Sequence, residues 1–394
     1  MRLGSAAWER TAEVRAAADG WRRAGAIDRA THEAVRTAYP DPCVTPSAVW
    51  RLLTAAMVTA VVLCTLGAVW VATKPDTVGL SLLLAGFAGA GLVATEGLEA
   101  SPRLARRGAA GATSFWGGVF LLVGLGVFLQ DLPRVQSEHA INAVLVAGVL
   151  VWAAGCWRWG NPLFAALSAV SLFLFLARVP LGRPLWVLAG AALAGLAARR
   201  TDHAAWAPSH RRAAMVLLVM GVAAPYVALN VYSVEVQWIE GFRQFVPGPI
   251  AWPPALFVLS TIATAVLPLA ILGGAWRSRR TLLLDTGIVL LAASLVTARH
   301  YVHLAPLWVV LTASGAMLIA LALAVERALR GSPGGERAGF TADALFSDER
   351  RQQMLLTVPV VAALTPAASP AVAEEPGFTG GGGRFGGGGA SDRF

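Results

Sequence analysis

Residues Leu52 to Ala72 read LLTAAMVTAVVLCTLGAVWVA, and this stretch decides the fold. It carries no charge and is bounded by Arg51 on one side and Lys74 on the other. A helix rises about 1.5 Å per residue, so about 20 apolar residues cross a hydrocarbon layer roughly 30 Å thick. The run is continuous rather than alternating, which favours a helix over a half-buried strand. In lipid, only helices and closed barrels satisfy their own backbone groups, so a continuous apolar run of this length predicts a membrane-spanning helix.

The pattern recurs along the chain. Further runs lie at 77–97, 110–129, 139–157, 162–178, 184–198, 212–232, 254–273, 281–297 and 303–325. The expectation is an all-α, polytopic membrane helix bundle of about ten transmembrane helices. The shortest run, 184–198, opens on Pro184, suited to a first helical turn, and ends at Arg199 and Arg200. Composition agrees: of 394 residues, 56% are hydrophobic and 14% charged, with a mean hydropathy of +0.61. Soluble domains carry about 25% charged residues, so an ordinary soluble enzyme and a disordered chain are both excluded. Cys43, Cys64 and Cys156 form no C-x-x-C motif and are too few for a disulfide framework.

Charge density divides the chain into a helical head at 1–51, a membrane domain at 52–325, a cytoplasmic or interfacial segment at 326–376, and a glycine-rich tail at 377–394. The first 50 residues are charged and lack an apolar core, so no cleavable signal peptide is expected there. Orientation follows from arginine, which concentrates in cytoplasmic loops. With a cytoplasmic N-terminus, the cytoplasmic loops hold Arg103, Arg106, Arg107, Arg158, Arg199, Arg200, Arg211, Arg212, Arg277, Arg279 and Arg280. The opposite loops hold only Lys74, Arg134, Arg178, Arg183, Arg243 and Arg299. Trp50, Trp157, Trp159 and Trp276 then mark one interface, and Trp70, Trp186, Trp238 and Trp252 the other.

The head reads as two short helices over 5–39. Trp8, Val14, Ala17 and Trp21 share roughly one face, Gly25 breaks the run, and Asp28 is placed to cap the second helix. Eight arginines against six acids in 1–51 are too nearly balanced for phosphate-driven nucleic-acid binding. The head therefore reads as a partner-docking unit or as an amphipathic hairpin on the membrane surface. Trp21 followed by Gly25, Ala26, Ile27 and Asp28, and then by many apolar spans, resembles a bacterial multi-pass inner-membrane protein family built on a domain of unknown function. That resemblance extends in layout over about the first 300 residues. It implies an inner-membrane location and carries no catalytic residue.

Ionisable residues inside spans are costly and mark function by default. Glu96 and Glu99 lie three apart near the end of the second run, where they could take a cation or proton or pair with Arg103, Arg106 or Arg107. Asp285 lies about one turn into the ninth run, placed for a proton site or for reaching back to Arg279 and Arg280. On the outer face, Arg299, His300 and His303 stand with Glu235 and Glu240 as a candidate cluster. Metal sites need three or four convergent ligands, and these residues come from separate loops, so no metal is assigned. The loop 231–253 is rich in aromatic residues and proline and reads as an interfacial segment. Its flanking runs carry Pro225 and Pro268, with Asn230, Ser260, Thr261 and Thr264 available to satisfy freed backbone groups or to line a pathway. The first five runs lack matching prolines, which weighs against an inverted-repeat transporter.

After Arg330 the chain turns polar, and the apolar stretch 354–373 is broken by Pro359, Pro366 and Pro370. An eleventh span there is disfavoured. The tail holds two runs of four glycines around Arg384 and Phe385 and ends on Arg393 and Phe394, a flexible tether with sparse contact points. It is similar to the glycine-rich endings of bacterial envelope proteins, including phosphatase-like proteins with a membrane anchor. No soluble phosphatase-like domain accompanies it here, so that activity is not implied. Sequences of the form H-E-x-x-H, G-x-S-x-G and G-x-x-x-x-G-K-[ST] are missing. The reading therefore assigns no catalytic residue and no cofactor. It expects a non-enzymatic envelope scaffold or regulatory protein in the bacterial plasma membrane, with membrane lipids and envelope proteins as partners and no nucleic acid. A transporter or channel for a small solute or lipid, using the seventh and eighth spans, is the alternative. An intramembrane enzyme acting on a lipid-linked substrate is the third reading.

Overall fold

The computed structural model describes residues 5–23, 27–40, 48–101, 108–133, 135–201, 206–242, 252–278 and 280–302, with isolated positions between 309 and 341. The chain divides into two units, Met1–Ser294 and Leu295–Phe394. The head supplies α1 (Ser5–Arg23) and α2 (Arg29–Ala38). Then follow α3 (Ala48–Thr73), α4 (Thr77–Ala100), α5 (Ala109–Asp131), α6 (Ser137–Trp159), α7 (Pro162–Arg178), α8 (Gly182–Thr201) and α9 (Pro208–Leu229). The short α10 (Val231–Glu235), a 3₁₀ turn at Glu240–Phe242, α11 (Pro254–Ser278) and α12 (Thr281–Val302) complete the helical part. In the second unit, the rings of His300 and Tyr301 meet edge-on at 5.2 Å. A two-residue antiparallel pairing there joins Glu336–Arg337 to Phe340–Thr341.

Side chains fix the helix starts. Asp28 accepts from Thr31 N at 2.8 Å, Asp76 from Gly79 N at 2.8 Å, and Asn161 from Leu163 N at 2.9 Å. Each supplies an acceptor that the first helical turn lacks. Pro162 and Pro208 open α7 and α9, where a missing N–H costs nothing.

Among the described residues, seven helices, α3, α4, α5, α6, α9, α11 and α12, are long and apolar enough to cross a membrane; α7 is a shorter apolar helix. Their outer surfaces carry exposed Val71, Leu82, Val93, Leu150, Val258 and Val289. Apolar exposure on this scale has no place in water and identifies a membrane-embedded protein. The expected run 184–198 is a longer helix, α8, which reaches through Gly182 and Arg183 at one end and Arg199 to Thr201 at the other. The expected run 212–232 stops at Leu229, because the Asn230 side chain accepts from Tyr232 N and Ser233 N and starts α10 instead. The expected run 303–325 falls, but for isolated positions, outside the described residues, as do the stretch 354–373 and the glycine tail.

Without a hydrophobic drive inside lipid, close backbone approach and shape hold helices together. A Cβ on Gly190 would stand 2.8 Å from Gly221 O, and one on Gly221 would stand 2.6 Å from Ala194 N. The α8–α9 crossing therefore requires both glycines. Between α4 and α5, a Cβ on Gly91 would lie 3.3 Å from Gly117 Cα. An aromatic row then links α5, α6 and α7: Phe115 stacks on Trp152 with centroids 6.0 Å apart, and Trp152 meets Phe164 at 5.3 Å.

Within Met1–Ser294 the helix ends sort into two sets. At one, the head end, Gly108 presses on the Arg51 carbonyl, His210 meets Trp157 O and Arg280 donates to Ala198 O. At the other, the far end, Arg178 donates to Asn142 Oδ1 at 2.5 Å and to Phe242 O at 3.0 Å.

Candidate functional site

Among the described residues of the first unit, three polar assemblies link different elements. The far-end assembly centres on Arg183, in the first turn of α8. Its side chain is 3% exposed and that of Glu240 is 7% exposed. Arg183 Nε donates to Glu240 Oε1 at 2.9 Å and Nη2 donates to Glu240 Oε2. Nη1 donates to Ala228 O at 2.6 Å and to Ser233 Oγ at 3.4 Å. Nη2 also donates to Ser233 O at 3.0 Å. The guanidinium has five N–H groups in a planar fork, and each has an acceptor. Ala228 O lies at the C-terminal end of α9, where the helix dipole favours a cation. Trp252 lies over the guanidinium at 5.9 Å.

The chain after α9 folds back over this pair. Val234 and Ile239 are buried, while Tyr232 and Trp238 remain exposed. Trp186 donates to Phe173 O at 2.7 Å and meets Trp238 edge-on at 6.2 Å. The expected interfacial loop is thus, over its described part, a fastened cap with aromatic residues outward.

The second assembly joins α9, α10, α11 and α12. Pro268 has no N–H to offer Thr264 O, four residues earlier. Ser294 Oγ supplies the missing donor at 2.7 Å. Tyr226 and Ser294 hydroxyls lie 2.9 Å apart, and Asn230 Nδ2 donates to Tyr226 Oη at 3.0 Å. Val231 N donates to Thr264 Oγ1 at 3.0 Å, which itself donates to Ser260 O at 2.7 Å. Ser260 is 0% exposed, and its own Oγ has no hydrogen-bond partner. Thr261, grouped with these in the sequence, instead bonds back to Phe257 O on an exposed face.

The third assembly is at the head end. Arg158 Nε and Nη2 donate to Glu96 Oε1 and Oε2 at 2.9 and 2.8 Å, and Trp159 Nε1 donates to Glu96 Oε1 at 3.2 Å. Glu96 therefore joins α4 to the end of α6; Arg103, Arg106 and Arg107 lie outside the described residues. In the head, His32 is buried against Asp19, with Nε2 to Oδ1 at 2.6 Å. Hydrogen bonds from the Thr31 side chain and backbone hold the Asp28 carboxyl below its usual range. The head is seated on α9. Glu9 Oε2 accepts from Ser209 N at 3.0 Å, and Glu13 Oε1 and Oε2 accept from Arg211 Nη2 at 2.7 and 2.6 Å. Close packing supports the seat, since Gly160 adopts φ +66° where a Cβ would stand 2.5 Å from Ser209 Oγ.

The sequence candidates separate accordingly. Glu99 sits in the last turn of α4, half-buried. Asp285 is exposed in the second turn of α12. Of the outer-face cluster, Glu240 is committed to Arg183 while Glu235 is exposed. Arg299 and His300 belong to the second unit. His303, Arg384, Phe385, Arg393 and Phe394 lie outside the described residues. Among the described residues no three His, Cys, Asp or Glu side chains converge as metal ligands. Sequence reasoning missed Arg183, Arg158, Tyr226 and Ser294 as partners. The available signal was an isolated base and an isolated acid, each in apolar surroundings and on the same side by span parity. Comparison with protein-family profiles, with curated proteins and with solved structures finds no match to this chain.

Proposed function

We propose that this protein is a non-enzymatic scaffold or regulatory protein of a bacterial plasma membrane, built on about ten spans, with the head end and its arginines in the cytoplasm. The observation that carries the reading is the head. It is a folded two-helix unit seated on the bundle by Glu9 and Glu13, and it leaves Trp21, 53% exposed, on its surface. An exposed tryptophan on a small polar unit suits partner recognition. The pairing of Glu96 with Arg158 and of Glu240 with Arg183 supports a structural use of these two acids. The glycine-rich tail, with Arg384, Phe385, Arg393 and Phe394, serves as a second, tethered contact.

The test is co-purification from native membranes with mass spectrometry. Full-length protein, a Trp21→Ala variant, a form lacking the first 44 residues and a form ending at Gly339 are compared. A defined protein set that follows the full-length form and drops from the others supports the scaffold. Identical sets from all four, or none, contradict it. One observation favours transport as a second reading: the buried, unpartnered hydroxyl of Ser260 between proline-bearing helices. That reading expects Ser260→Ala to change solute flux in vesicles while the protein remains folded.

A further inference from the structure

Among the described residues of the first unit, three arginine–carboxylate pairs that join elements are not alike. In Arg183–Glu240 and Arg158–Glu96, Nε and Nη2 each meet a separate carboxylate oxygen, the side-on fork that matches the two groups best. In Arg211–Glu13, Nη2 alone faces both oxygens. Arg211 Nε is buried and has no hydrogen-bond partner. A desolvated donor left unmet costs free energy, so this contact is the weakest fit of the three. Like Arg158–Glu96, with both side chains 46% exposed, it is open to solvent, with Glu13 50% and Arg211 27% exposed. Exposed pairs are screened by salt and contribute little.

The other tie has the same character. Glu9 sits on Ser209 N in the first turn of α9, behind Pro208, where the helix dipole favours an anion. Both described ties are therefore carboxylates resting on positive groups. Exposed Arg199, Arg200 and Arg212 lie on the adjoining turns, and Arg200 stacks on Trp206 at 4.5 Å. Bases and tryptophans together mark the level of lipid headgroups in a membrane protein.

We propose that α1 is a charge-held latch on the start of α9, and that a phosphate-bearing anion releases it by replacing the Glu9 and Glu13 carboxylates. A phosphate group brings more acceptor oxygens than a carboxylate, and it can meet the Arg211 Nε that Glu13 leaves unmet. The headgroup of an anionic phospholipid and free inorganic phosphate share this chemistry. The inference rests on the scaffold reading only for what release accomplishes. Docking itself is read by exchange rather than by captured partners.

The test is amide hydrogen exchange of α1 in the full-length protein. Three conditions are compared at matched ionic strength: phosphatidylcholine vesicles, the same with phosphatidylglycerol, and phosphatidylcholine vesicles with inorganic phosphate. Exchange in α1 is expected to rise several-fold with phosphatidylglycerol or with phosphate, and the condition that does so identifies the source. Arg211→Gln should give the released level in phosphatidylcholine alone, and Glu13→Arg with Arg211→Glu should restore protection. Unchanged exchange in both anionic conditions overturns the proposal, as does a charge-swapped pair no better protected than Arg211→Gln. The Thr31 amide, held by Asp28, is the internal control. If its protection falls together with that of α1, the head has unfolded rather than undocked, and the latch is overturned. Partners lost from a headless form while α1 exchange never changes tell against the latch and leave the scaffold standing.

Discussion

Arg183 has its acceptors at two helix ends and a folded-back loop, so its removal strands more than a salt bridge. Deleting one member of a buried pair leaves an uncompensated charge and typically costs about 3–5 kcal/mol. Arg183→Met should lower unfolding stability in detergent by that order, and Glu240→Leu in the same chain should recover much of the loss. Ser294 offers a sharper case, because its hydroxyl answers a defect made by Pro268. Ser294→Ala should cost about 1–2 kcal/mol by orphaning the Thr264 carbonyl. In a Pro268→Ala background that carbonyl regains its helical N–H, and the cost of Ser294→Ala should shrink. Additive effects across this cycle would contradict the pairing. Asp28 adds a pH signature. The Thr31 bonds hold its folded carboxyl below the ordinary aspartate value, so its capping contribution is complete above that ordinary value. That contribution is lost as pH falls through the lower folded value. Exchange of the Thr31 amide should show this loss, and Asp28→Asn, which keeps an acceptor but does not titrate, should remove the pH dependence.

Helices α8 and α9 meet through Gly190 and Gly221, where neither position has room for a side chain. Gly221→Leu should separate the pair, loosen the Arg183 clamp that depends on both, and raise exchange in the cap at residues 231–242. Unchanged exchange there would show that the cap is held independently of this crossing. Element positions were largely legible from apolar runs, because lipid imposes a minimum length and forbids charge. The run 77–97 lies within α4, which continues to Ala100, and 162–178 coincides with α7 at both ends. Some starts were legible from a capping side chain, as at Asp28, and others from the first residue of the apolar run, as at Pro254 and Thr281. The end of α9 was misplaced because Asn230 caps a new helix inside an apolar stretch, and hydropathy does not register that event. The pairings were the least legible. Glu96 stands out in the sequence as an acid near the end of a span, but Arg158 lies 62 positions away and reaches it only once the ends of α4 and α6 meet.

Across the first unit, every described contact at the head end joins helix ends that span parity places on one side. Arg51, Glu96, Arg158, Ala198, Ser209 and Arg280 all meet partners there. Asn142, Arg178, Arg183, Ala228 and Glu240 meet at the far end. The described helix-end contacts thus sort into two sets, with the head at one and the Arg183 clamp at the other. The most direct test is single-cysteine labelling in intact cells with a membrane-impermeant thiol reagent, in a background where Cys43, Cys64 and Cys156 are replaced. Lys74→Cys, Gln136→Cys and Tyr232→Cys, at the far end, are predicted to label from outside. Thr37→Cys, Arg199→Cys and Arg277→Cys, at the head end, are predicted to label only after permeabilisation. Positions from one end that label from opposite sides, or head-end positions that label in intact cells, would contradict the account.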